Sequence, residues 1–250
     1  QAKVTSEVVS PPKVAEGTVV VWSGDGRLFG LSAADGKTRW VYQRSNPPLT
    51  VRNFAGGVIT RGGLFVGTAG GKLLALDLGT GTVGWEANVA TPKGATELER
   101  IADITSLPLI EEKQACAVAY QGRVACFEIL RGTLNWSRDL SSLDGLVADA
   151  RYLYLTDDRG AVHALDKTTG ASAWKQDKLA LRRPGGPQFV GAFVAVVDAE
   201  GFVHLLDPND GSLVGRVATD GTPATAQHSA SGGSAVRQST GAAPFLVGAS

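Results

Sequence analysis

The sequence predicts an all-β fold, a β-propeller of four-stranded blades, and three observations carry that prediction. A motif recurs five times, its spacing matches a four-stranded blade, and no segment shows a convincing helical period. The motif is clearest at 70–85, "GGKLLALDLGTGTVGW". It returns as "GRLFGLSAADGKTRW" (26–40), "GRVACFEILRGTLNW" (122–136), "GAVHALDKTTGASAW" (160–174) and, without the tryptophan, "GFVHLLDPNDGSLVG" (201–215). In every copy a second glycine follows the first by ten residues, and Trp40, Trp85, Trp136 and Trp174 each stand fourteen after it. Gly215 takes that place in the fifth copy, and successive copies are 45, 51, 38 and 41 residues apart.

Each copy resolves into strands in the same order. An apolar run precedes the first glycine ("TVVVWSGDG", "LFVGTAGG", "ACAVAYQG", "LYLTDDRG", "FVAVVDAEG") and a second follows it, which predicts two antiparallel strands joined by a tight turn. The second strand is apolar at nearly every position, as in Leu73-Leu74-Ala75-Leu76, so both of its faces are expected to be covered, as between packed blades. It ends at Asp77, Asp166 or Asp207, or at Glu128 or Ser32, before a short turn closed by glycine. A short side-chain oxygen there bonds the turn backbone while glycine takes the left-handed position. The segment reaching the tryptophan is the third strand of the motif, and a weaker strand precedes each trio: "VVSPPKVA", "GGVIT", "SLPLIE", "GLVADA" and "GPQFVGA". Five blades are therefore visible in one domain spanning 1–250. The terminal "FLVGAS" reads as the start of a sixth, and 219–244, rich in Ala, Ser, Thr and Gly, as a mobile low-complexity segment.

Composition narrows the function. The chain has 250 residues, 43% of them hydrophobic, with 24 basic and 24 acidic side chains and no basic block. That balance argues against nucleic acid, whose binding depends on neutralising phosphates. No apolar stretch reaches the ~18 residues of a membrane span, and the N-terminus has no signal-peptide pattern. With methionine absent even at position 1, the chain is expected to begin inside a longer precursor. Cys116 and Cys126 lie on the two arms of one predicted hairpin. They are expected to pack as small hydrophobes, with a disulfide across the hairpin as the alternative.

Repetition also decides how candidate sites are read. The Asp row occupies one repeat position in different blades, so its carboxylates cap turns and do not converge on a metal. The tryptophans are structural, each filling the gap to a neighbouring blade. His163 and His204 share a position inside buried strands and are expected to be packed core residues; His228 lies in the loose segment. No nucleophile has a credible base, so no catalytic residue, metal or cofactor is expected. Two stretches interrupt the repeats and look like binding surface. "PPLTVRNF" (47–54) carries Leu49, Val51 and Arg52. "TELERIADITSLP" (96–108), within an insertion over 86–108, carries Glu97, Glu99, Arg100 and Asp103 beside Leu98 and Ile101.

The signature A-L-D-x-x-T-G-x-x-x-W resembles the quinoprotein-type propeller repeat more than WD40, whose Gly-His and Trp-Asp pairs are missing. Within that superfamily, "PPLTVRNF" followed by "GATELERIADITSLP" resembles the BamB family, lipoprotein subunits of the machinery that assembles β-barrel proteins into the Gram-negative outer membrane. The likeness implies a truncated eight-bladed ring, matching about the C-terminal two-thirds of a family member. It implies a non-enzymatic scaffold at the periplasmic face of the outer membrane, with the family's lipid-anchoring cysteine outside these residues. The two loops would bind a POTRA domain of BamA, and the scaffold would assist delivery and insertion of unfolded β-barrel substrates. The family's leucine, apolar and arginine positions in the first loop fall on Leu49, Val51 and Arg52. Of two family aspartates in the second, Asp103 matches one and Thr105 replaces the other. Two other readings of a propeller stand beside this one. A sensor ectodomain would use it to bind a ligand. A quinone-dependent dehydrogenase would need a calcium site, an aspartate base and commonly an adjacent cysteine pair, whereas Cys116 and Cys126 are not adjacent.

Overall fold

The computed structural model describes residues 3–51 and 56–219. Each copy of the motif, with the weak strand before it, forms one four-stranded antiparallel meander. The first comprises β1 (Lys13–Ala15), β2 (Thr18–Trp22), β3 (Arg27–Ser32) and β4 (Thr38–Gln43). The second comprises β5 (Gly57–Thr60), β6 (Gly63–Gly67), β7 (Lys72–Asp77) and β8 (Val83–Asn88). The third runs β9 (Leu109–Ile110), β10 (Gln114–Val118), β11 (Val124–Glu128) and β12 (Leu134–Arg138). The fourth runs β13 (Val147–Ala148), β14 (Tyr152–Thr156), β15 (Val162–Asp166) and β16 (Ser172–Gln176). The fifth runs β17 (Gln188–Val190), β18 (Phe193–Val197), β19 (Phe202–Leu206) and β20 (Leu213–Ala218). The expected sixth strand group at 245–250 and the segment over 220–244 lie outside the described residues.

The continuous apolar runs are sandwiched, as their lack of alternation predicts. Along β7, Leu73, Leu74, Ala75 and Leu76 are all buried, and they serve two different cores. Leu74 and Leu76 join Val20, Trp22 and Trp40 of the first blade, while Leu73 and Ala75 join Ala115, Ala117 and Phe127 of the third. The same division continues between the third and fourth blades and between the fourth and fifth.

The tryptophans join the blades by a repeated contact. The indole nitrogens of Trp40, Trp85, Trp136 and Trp174 donate to the carbonyls of Leu78, Ile129, Lys167 and Pro208, each at 2.8 Å. Each acceptor directly follows the Asp or Glu that caps the next blade's turn. Each ring also lies against that turn's second glycine. A Cβ on Gly81, Gly132, Gly170 or Gly211 would stand only 2.4–2.6 Å from ring atoms. These glycines have φ of 67–72°, so both conformation and space require glycine there.

The turn caps behave as expected. Asp77 accepts from the Thr80 amide and hydroxyl, Asp166 from the Thr168 and Thr169 amides, Asp207 from the Asn209 amide, and Glu128 from the Leu130 and Arg131 amides. Opposite each tryptophan the neighbouring strand carries a small residue, namely Gly30, Ala75, Cys126 or Ala164, with a register shift just after it. In the fifth blade the sizes are exchanged: Leu205 faces Gly215. Bulk missing from the tryptophan position is supplied by its cross-strand partner.

One expectation is corrected. Cys116 and Cys126 form a disulfide, and they are direct cross-strand partners in β10 and β11. Five residues on either side of the Gln121 turn bring them face to face, and both are fully buried.

Candidate partner-docking site

Strand directions put the turn after the second strand of each blade on the same face as the connection to the next blade. Among the described residues, 44–51 and 56, 89–108, 139–146 and 177–187 belong to these connections, between β4 and β5, β8 and β9, β12 and β13, and β16 and β17. Both interrupting stretches therefore lie on one face. The second connection starts after Asn88, three residues later than the repeat spacing suggested.

The second connection has an exposed tip and a buried base. At the tip the Glu99 carboxylate accepts from the Ala95 and Thr96 amides, and the Thr96 hydroxyl accepts from the Glu99 amide. This reciprocal cap closes a single turn. Arg100 donates from Nε to the Gly94 carbonyl at 3.0 Å and stands 3.4 Å from Glu97. Both charged groups are about half exposed, so that ion pair adds little to stability. Leu98 projects into solvent above an open depression of about 500 Å³ lined by Lys93, Gly94, Leu98, Glu99 and Gln121. The Gln121 amide, turned with its nitrogen to the loop, donates to the Leu98, Glu99 and Ile101 carbonyls.

At the base, Ala102, Asp103, Ile104, Thr105 and Ser106 are all buried. Asp103 was expected to offer its charge to a partner; instead its carboxylate faces inward. Oδ2 accepts from the Val51 amide at 2.7 Å and Oδ1 from the Gly70 amide at 2.8 Å, while its carbonyl accepts from the Tyr120 amide. One side chain thus ties the first connection, the second connection and the β6–β7 turn of the second blade together. Thr105, in the place of the family's other aspartate, donates its hydroxyl to the Leu143 carbonyl at 2.8 Å and so reaches the third connection. Leu49 is exposed and Val51 half-buried beside this base, whereas Arg52 lies outside the described residues.

The two histidines are buried, as expected, but each has a carboxylate partner that the sequence reading did not assign. His163 Nε2 lies 2.8 Å from Asp157 Oδ2, and His204 Nε2 lies 2.7 Å from Asp198 Oδ2. Burial works to raise the Asp198 carboxyl. Hydrogen bonds from His204, the Phe202 amide, Arg182 and the Glu200 amide overcome it and hold the group well below the ordinary carboxylate range. Asp157 is lowered in the same way: burial opposes ionisation, and His163 and the Ala161 amide outweigh it. The signal was legible, since "TDDRGAVH" and "VDAEGFVH" both place Asp six residues before His across the turn. Among the described residues, no group of three or more His, Cys, Asp or Glu side chains has the arrangement of a metal site.

Fold and repeat define a β-propeller of the quinoprotein-like class, with its distinctive surface at two inter-blade connections. The family model described as outer membrane protein assembly factor BamB matches residues 1–176, and the chain belongs to that family. It is 53% identical over 222 residues to the BamB of Nitrosomonas eutropha, covering 88% of this chain and 54% of that protein. It is 43% identical over 222 residues to the BamB of Bordetella pertussis, covering 88% and 58%. The chain therefore spans just over half the length of these curated relatives. The crystal structure of BamB from Moraxella catarrhalis superposes with a TM-score of 0.81 at 29% identity, over 87% of this chain and 66% of that one. A europium-containing methanol dehydrogenase matches with a TM-score of 0.66 at 16% identity, over 83% of this chain and 50% of that one, which shows shared fold alone.

Proposed function

We propose that this chain is a non-enzymatic docking scaffold of the outer-membrane β-barrel assembly machinery, and that it binds a POTRA domain of BamA at the periplasmic face. The observation that carries the reading is the Asp103 latch. Two connections that interrupt the repeats are fixed to each other and to the second blade, giving a pre-organised surface with Leu49, Val51 and Leu98 at its edge and Glu97 and Arg100 at its rim. Holding loops in their bound geometry lowers the entropy cost of association. Family membership supports the role, since the relatives are named as assembly factors. The disulfide supports an oxidising compartment such as the periplasm. In this reading a lipid anchor carried outside these residues tethers the scaffold to the membrane, and unfolded β-barrel proteins are its clients.

Leu49 and Val51 supply the apolar anchor and Arg52 an orienting charge. Asp103 is a positioning residue and makes no contact with the partner itself. Titrating the periplasmic region of BamA against the protein and its Leu49→Ala/Arg52→Ala variant tests this: the double variant is expected to bind at least about tenfold more weakly. Asp103→Ala is expected to weaken binding too and to speed exchange of the Val51 and Gly70 amides, an effect a merely surface-exposed charge does not have. Undiminished binding by the double variant overturns the assignment.

A further inference from the structure

The face that carries the first two connections also carries the third and fourth, and each of the four presents an exposed leucine. Leu49 is 42% exposed, Leu98 64%, Leu143 41% and Leu181 99%. On the opposite face, the described turns are built mainly from charged, polar and glycine residues, with Leu130 as the large exposed aliphatic at a turn.

Leu181 is held out rigidly. It sits in the middle of a single 3-10 turn, Ala180–Arg182, that is tied down on both sides. Leu179 is buried in the core between the fourth and fifth blades. The Arg182 guanidinium pairs with Asp198 and Glu200, its amide donates to the Leu179 carbonyl, and its carbonyl accepts from the Ala199 amide. The connection is also joined to its neighbours. Thr105 reaches Leu143, the Ser142 hydroxyl donates to the Thr156 carbonyl, and the Thr156 hydroxyl donates to the Gly185 carbonyl. A fixed, fully exposed leucine forgoes the stabilisation that burial of such a side chain provides. Being already ordered, it loses little further freedom when a partner covers it. Lys178 and Arg183, both exposed, flank it, while Arg182 is neutralised by its two carboxylates.

We propose that Leu181, between Lys178 and Arg183, is a second docking knob, fitting an apolar socket rimmed by carboxylates on the same protein that docks on the first two connections. The inference rests on the docking reading above. It extends the contact surface across the third connection to the fourth, so that the partner grips the face at two separated points.

The test uses the periplasmic region of BamA as probe. Leu181→Ser is expected to weaken binding about tenfold or more, as truncation of a central apolar anchor does. Lys178→Glu/Arg183→Glu is expected to slow association and reduce its dependence on salt. Leu130→Ser, on the opposite face, is expected to bind unchanged. If Leu181→Ser binds like the unmodified protein while Leu49→Ala/Arg52→Ala is weakened, the second knob is wrong and the docking reading stands. If neither variant is weakened, both fall. An equal loss for Leu130→Ser also overturns the assignment, because the effect would not belong to this face.

Discussion

Asp157 and Asp198 show how a repeat position acquires a new role by single-residue change. Three residues before the first glycine, the first two blades carry Ser23 and Thr68, whose hydroxyls close the turn onto the Arg27 and Lys72 carbonyls. The last two blades carry aspartates there, each accepting two turn amides and a histidine that replaces Phe29 or Leu74 of the earlier copies. Because folding lowers both carboxyls, their stabilisation is complete above the ordinary aspartate value of about 3.9 and is lost as pH falls through the lower folded values. Denaturant midpoints are therefore expected to fall between pH 7 and pH 3, and Asp157→Asn/Asp198→Asn is expected to flatten that dependence while lowering the pH 7 midpoint. A variant that keeps the full acid dependence contradicts the assignment. The histidine positions and their burial were legible from the repeat. Their carboxylate partners required comparing the turns copy by copy. Asp103 was not legible in its present role, because an exposed and a buried acid in a loop look alike until the packing of Ala102 and Ile104 is known.

Among elements, the joint between blades is the unit that the repeat encodes. The tryptophan of one blade, the carbonyl after the next blade's turn acid and the glycine closing that turn form one contact. Trp85→Ala is expected to cost about 3–5 kcal/mol, as for a large aromatic lost from a core. Gly132→Ala is expected to cost about 1–3 kcal/mol from overpacking against Trp85, with the left-handed φ adding to it. In the double variant Gly132→Ala is expected to cost less than it does alone, since the ring it strikes is gone and only backbone strain remains. Additive losses measured by chemical denaturation contradict a shared contact. Strands and turns were legible because glycine spacing and apolar runs are local signals. The exchange of bulk between Leu205 and Gly215 was not, since it appears only once the register pairs them. The disulfide lay between these cases: symmetry about Gln121 made it possible, while buried packing of separate thiols was the commoner outcome for such a pair.

At the scale of the whole molecule, the two faces differ in what they offer. One carries inter-blade connections that are stitched together and display leucines; the other carries tight turns capped by Asp and Glu. The first face is the proposed docking surface for the assembly partner. The most direct measurement is amide hydrogen exchange on the protein with and without the periplasmic region of BamA. Docking on this face is expected to add protection at 47–51 and 91–101, extending to 177–183, with the turns around Gly81, Gly132 and Gly170 unchanged. Protection centred on those turns, with the connections exchanging as in the free protein, would contradict it.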